Sequence, residues 1–351
     1  MPTARKPARK RQPWQPNQQQ ARNGYSAIFQ IPPAWWTSTD SPLTERERSN
    51  RRHIVRSHAK TIWATSKKQR QAWHVERFVL IITVSPPRTI TNPTRIFPAK
   101  AAETCKPIID AGTDAKLWDD DDSKHRYATT FIAVPPVHEQ YWTLTVYVLP
   151  IPSHTPRWEI RHLSSSIRSA WKASYEKTPP AWYAGYNAGF TIPKRLWLTS
   201  NITDSDLHNM HHAQQVAWGS GRAHGERERI RQQLQANTYQ QWKRQYHLWS
   251  NRFTLEIGVS YPPAVGDADP DNAAETVNTV LQAGTQAGAW DAITAANCKA
   301  VTFYRQANNM TPGIHKLNIT VTPIPDTCTA SSLWVNAIRR AWRMHDERSS
   351  Q

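Results

Sequence analysis

Behind Thr44, apolar residues return at helical spacing: Ile54, Val55, Ala59, Ile62 and Trp63, with Arg48, Arg52, Arg56 and Lys60 along the opposite face. Thr44 and Glu47 are spaced as the two partners of a capping box, and the whole stretch predicts a long basic helix. Phe78 to Ile82 is an unbroken apolar run of strand length. Further on, Ala101, Cys105, Ile108 and Ile109 make one face of a shorter helix and leave Glu103, Lys106 and Asp110 on a polar stripe. The expected order is a long basic helix, a strand, an irregular loop, a short helix, two strands and a closing helix.

That order occurs twice. GYSAIFQIPPAWWTS from Gly24 returns as GYNAGFTIPKRLWLTS from Gly185, and Phe97 to Asp119 matches Asp269 to Asp291 without a gap. TVYVLPIP from Thr145 matches NITVTPIP from Asn318, and IRSAW from Ile167 matches IRRAW from Ile338. Collinear matches of this kind predict two copies, residues 24–172 and 185–345, joined by a linker over 173–184 that contains Thr178, Pro179 and Pro180 and followed by a tail over 346–351. Ahead of them, residues 1–23 carry Arg5, Lys6, Arg9, Lys10, Arg11 and Arg22 with no acid, the composition of a disordered basic arm. In the second copy the long helix is expected to begin near Asp204. Tryptophans pair between copies (Trp36 with Trp197, Trp73 with Trp249, Trp118 with Trp290, Trp171 with Trp342), which marks them as core. Trp14, Trp142 and Trp182 have no such partner and are candidates for stacking on bases.

The chain has 351 residues and a net charge of +17, which favours nucleic acid as a partner. No segment approaches the ~20 apolar residues of a membrane span, so no membrane partner is expected. Three scattered cysteines and the lack of an apolar leader suggest a reducing, cytoplasmic setting. On the long helix Arg48, Arg52, Arg56 and Lys60 read either as a phosphate-tracking row or as an ordinary solvated face, and the arm would add affinity by counterion release.

Against this basic background Asp119, Asp120, Asp121 and Asp122 stand in a row. The second copy has Asp291, Ala292, Ile293 and Thr294 there, but holds Asp267, Asp269, Asp271 and Asn272 where the first has Arg95, Phe97, Ala99 and Lys100. Each copy keeps acids that the other lacks. Clustered carboxylates with a lysine suit Mg²⁺ and phosphoryl chemistry. The alternatives are a solvated turn for the first run and helix N-caps for Asp269 and Asp271. His208, His211 and His212 have a helical spacing that a zinc site could use.

The loop Asp269-Pro270-Asp271-Asn272, a helix with Lys106, Ile109, Asp110 and Ala111, and DDDDSKH after it resemble the RusA-type Holliday junction resolvases. Phage and actinobacterial members combine such elements in one copy, whereas here they are split between two. The resemblance implies a mixed α+β chain of two tandem RusA-like domains, each a small sheet with helices, forming a pseudo-dimer within one chain. It also implies a Mg²⁺-dependent endonuclease on branched DNA; because each copy keeps acids that the other lacks, one composite site is expected, made of Asp267, Asp269 and Asp271 with Asp119, Asp120, Asp121 and Lys106. Of these, Asp267, Asp269, Asp271, Asp120 and Asp121 would be the metal ligands. That requires the two acidic segments to lie within about 10 Å, a few ligand distances to Mg²⁺. The alternative is a junction-binding protein without catalysis.

Overall fold

The computed structural model describes residues 14–152, 185–199, 223–245, 247, 249–263, 265–324 and 347. The linker, the closing helices, His208, His211, His212 and Trp182 lie outside the described residues, as do Arg5, Lys6, Arg9, Lys10 and Arg11.

The chain is mixed α+β. Its strands are β1 (Tyr25–Ile31), β2 (Phe78–Ser85), β3 (Arg126–Ala133), β4 (Trp142–Pro150), β5 (Tyr186–Pro193), β6 (Phe253–Ser260), β7 (Cys298–Arg305) and β8 (Ile314–Pro323). The described α-helices are α1 (Gln18–Asn23), α2 (Glu45–Lys68), α3 (Ala102–Asp114), α4 (Ala223–Lys243) and α5 (Ala274–Gln286). All the strands join one sheet of order β1-β4-β2-β3-β7-β6-β8-β5. In each half the second and third strands are parallel and the others antiparallel. The halves meet where β3 runs antiparallel to β7. The register there centres on Thr130 opposite Thr302, whose hydroxyls are 2.9 Å apart, and these two residues lie 172 positions apart in the chain.

Local chemistry explains the elements. Thr44 caps α2: its N–H donates to Glu47 Oε2 at 2.8 Å and receives the return bond, Glu47 N–H to Thr44 Oγ1, at 3.2 Å. β1 and β5 begin after Gly24 and Gly185, at φ of 72° and 66°, where a Cβ would strike the carbonyl oxygen of Val148 or Val321. These opening strands alternate buried and exposed residues and were not anticipated from the pattern. α2, α3, α4 and α5 cover one face of the sheet and share one apolar core with it across both halves. Trp63 on α2 and Trp242 on α4 are fully buried and donate to the carbonyl oxygens of Ile108 and Val280 at 3.0 and 2.9 Å. This tryptophan pair escaped the sequence comparison, because the chain between the opening strand and the long helix differs between copies.

Three expectations are corrected. Residues 18–23 form α1 with its own capping box at Asn17, so the disordered arm does not extend through them. Trp142 is buried and stacked on Trp36, with ring centres 3.7 Å apart, and is not displayed to a base. Trp249, read as core from its pairing with Trp73, is exposed.

Candidate functional site

The acidic segments of the two halves meet. DDDDSKH forms the turn that leads into β3, and its four carboxylates have separate fates. Asp119 is exposed and lies 3.1 Å from His74 Nε2. Asp120 is exposed and accepts the Asp121 N–H at 2.7 Å. Asp122 closes the turn, accepting the Lys124 N–H at 2.8 Å and lying 2.8 Å from His125 Nδ1. Asp121 alone points inward. The bland reading therefore holds for three of the four.

Asp121 faces the loop before α5 across the side chain of Arg126, the first residue of β3. The Arg126 guanidinium is 1 % exposed. Its Nη1 donates to Asp271 Oδ1 at 2.7 Å and Thr129 Oγ1 at 2.6 Å, and its Nε donates to the Asp121 carbonyl at 3.0 Å. Its Nη2 lies 3.2 Å from Asp121 Oδ2 and 3.9 Å from Asp269 Oδ2. Lys106, on α3, donates to Asp269 Oδ2 at 3.3 Å and Asn272 Oδ1 at 2.8 Å. Asp267 stands to one side, 2.8 Å from Lys124 Nζ and 3.5 Å from Ser123 Oγ. The proximity required of a composite site is met by Asp121, Asp269, Asp271 and Lys106, while the side chains of Asp119 and Asp120 are exposed. Asp269 and Asp271 are not caps either: Ala273 holds the N-cap position of α5 and no side chain bonds there.

Burial raises the Asp121 carboxyl to about 6, opposed by Arg126 and reinforced by Asp269, Asp110 and Asp271. Burial likewise raises Asp110, against Lys106 and Arg56. For Arg126, burial opposes the charge, but Asp271, Asp121 and Asp269 outweigh it and hold the guanidinium protonated.

Mg²⁺ needs oxygen ligands free to close in to about 2.1 Å. The donor chemistry here is right, but a guanidinium hydrogen-bonded to four oxygens occupies the space between the carboxylates. Among the described residues no group of three or more His, Cys, Asp or Glu side chains could hold a metal ion. The residues as arranged do not fit a divalent ion. Sequence reasoning missed Arg126; the signal was an arginine beginning a strand, at the position where the other copy has Cys298.

The long helix differs from expectation too. Arg52 Nε donates to Glu103 Oε1 at 2.8 Å, and Arg48 Nη1 lies 3.9 Å from the same oxygen. Both guanidinium groups thus serve a buried carboxylate, which corrects their reading as phosphate-facing. Arg227 and Arg231 on α4 hold buried Glu275 in the same way. Arg56 is exposed but bound to Asp114 at 2.8 Å and near Asp110 at 3.6 Å. Lys60 is exposed.

The place equivalent to the acid cluster in the other half is apolar. Phe97, Ala99, Ile293 and Cys298 stand there for Asp269, Asp271, Asp121 and Arg126. A cavity of about 230 Å³ lies alongside, lined mainly by prolines and small apolar residues, among them Pro93, Pro98, Ala133 and Ala295. In the acidic half Arg305 takes the place of Ala133, bonding Asn308 Oδ1 at 2.6 Å and the Val265 carbonyl at 3.2 Å. Among the described residues no helix is long and apolar enough to cross a membrane. No protein-family model matches the chain, and no curated protein matches it.

Proposed function

We propose that the chain is a DNA-binding protein made of two RusA-like halves, a pseudo-dimer within one chain, in which the acid cluster is structural and DNA cleavage has been lost. The observation that carries this reading is Arg126, whose buried guanidinium stands among Asp121, Asp269 and Asp271 where the resemblance would put a metal ion. A tandem duplication is supported by the collinear repeats and by the matching strand order of the halves. Attraction to DNA is supported by the net charge of +17. Branched DNA follows from the resemblance alone.

The test is binding to four-way and linear DNA in EDTA and in Mg²⁺, followed by a nicking assay. Binding is expected in both buffers, weakening steeply with salt, without strand cleavage. Removing residues 1–23, which carry Arg5, Lys6, Arg9, Lys10, Arg11 and Arg22, should make the salt dependence shallower and leave any preference for junctions unchanged. Mg²⁺-dependent cleavage lost in Asp269→Asn would overturn the reading.

One observation favours the second reading, a composite Mg²⁺-dependent junction endonuclease: Lys106 and acids from both halves converge on one place. In that case Arg126 would have to leave the cluster when DNA and metal arrive, and Asp121, Asp269 and Asp271 would become ligands. Cleavage in the same assay distinguishes the two.

A further inference from the structure

The loop over residues 265–272 belongs to the second half, yet the cations beside its acids come mainly from the first, Arg305 of the second half lying 3.9 Å from Asp267. Asp271 has Arg126 at 2.7 Å, Asp269 has Lys106 at 3.3 Å and Arg126 at 3.9 Å, and Asp267 has Lys124 at 2.8 Å. Only Arg126 also reaches Asp121, the buried acid of its own half, at 3.2 Å. Three buried or half-buried carboxylates from two segments cannot remain ionised together without a cation among them. The counterpart of Arg126 in the other half is Cys298, and there every facing acid is replaced by an apolar residue. The arginine and the acids occur together or not at all.

We infer that Arg126 is a built-in cation that joins the two halves, making the fold independent of divalent metal, and that its removal turns the cluster of Asp121, Asp269 and Asp271 into a site for one divalent ion. This rests on the reading of the cluster as metal-free in the native protein. A guanidinium held in a pocket of carboxylate oxygens satisfies them at hydrogen-bond distance; once the long side chain is gone, the same oxygens face a vacated space, where hard ligands favour Mg²⁺ or Mn²⁺.

The experiment uses the full chain and Mn²⁺ as the probe, with bound ion counted by electron paramagnetic resonance and unfolding followed by circular dichroism. The native protein should bind no Mn²⁺ at equimolar concentration and unfold at the same temperature in EDTA and in Mn²⁺. Arg126→Ser should unfold roughly 5–15 °C lower in EDTA, bind one Mn²⁺ per chain and recover much of that loss on binding it. Adding Asp271→Asn to Arg126→Ser should weaken the Mn²⁺ binding at least tenfold. Arg126→Lys, which keeps a cation in the cluster, should bind none. Stoichiometric Mn²⁺ on the native protein or on Arg126→Lys would overturn the inference, as would a folded Arg126→Ser that takes up no Mn²⁺. If Arg126→Ser is unfolded in EDTA, refolding by Mn²⁺ or by millimolar methylguanidinium supports the inference and failure of both overturns it. Mn²⁺ is counted without DNA, so a chain that binds no DNA overturns the proposed function and leaves this result standing.

Discussion

The acid cluster around Arg126 and the apolar place around Cys298 occupy equivalent positions in two halves with the same strand order. One is held by ion pairs between segments of different halves, the other has the apolar residues Phe97, Ala99 and Ile293 at the positions of the acids. Both solutions close the same gap between a loop, a short helix and the start of a strand. The difference teaches that buried charge here is not a requirement of the architecture. Where the acids are present, a cation stands among them; where they are absent, that cation is absent too.

The largest expected effect comes from breaking the polar solution. Arg126→Leu leaves the carboxylates without their counter-charge and should cost about 3–5 kcal/mol. Changing Asp121, Asp269 and Asp271 to apolar residues in the same chain, which copies the other half, should return stability to within about 2 kcal/mol of the native value. Urea unfolding of the two variants checks this, and an unrecovered loss would mean that the halves are not interchangeable solutions.

Next comes pH. The Asp121 carboxyl titrates at about 6 in the folded chain and near 4 when unfolded, so its contribution is fully present below about pH 4 and is lost as the pH rises to about 6. Relative to Asp121→Asn, the native protein should lose about 2 kcal/mol between pH 4 and pH 7. Denaturant midpoints of both proteins at the two pH values measure it, and the apolar half offers no matching titration among these equivalent positions.

A smaller effect should be equal on both sides. Glu103→Gln and Glu275→Gln each weaken a buried acid held by two arginines, and each should cost about 1–2 kcal/mol. A large inequality would show that the two helix pairs are less alike than their ion pairs suggest. The smallest is expected at the turn: Asp119→Asn and Asp120→Asn, both exposed, should change stability by no more than about 0.5 kcal/mol.

Much of the fold was legible because its signals are local. The capping box at Thr44, the apolar face of α3 and the strand-length run from Phe78 are read within one turn or a few residues of chain. The two halves were legible because similar segments recur in the same order. The site was half legible: comparing copies placed Asp121, Asp269 and Asp271 together, but the charge balance between them depends on contacts up to 163 residues apart, such as Lys106 with Asp269. Local pattern cannot tell a solvated arginine from a paired one. Arg52 looked like a surface cation until Glu103, 51 residues away, was seen buried beneath it. The opening strands β1 and β5 were passed over because their apolar residues were read only as parts of a repeat.

The pairing of β3 with β7 also sets a schedule. As the chain is synthesised, β3 emerges with Phe131 and Ile132 on it and no neighbour on one side, because the strand that will cover that side follows 172 residues later. At ordinary elongation rates the wait is on the order of ten to thirty seconds. During it the nascent first half carries an open edge able to pair with the same edge of a chain on a neighbouring ribosome. The molecule's own second half arrives as a tethered competitor for that edge, and the crowding of ribosomes on one message would decide how often it arrives too late.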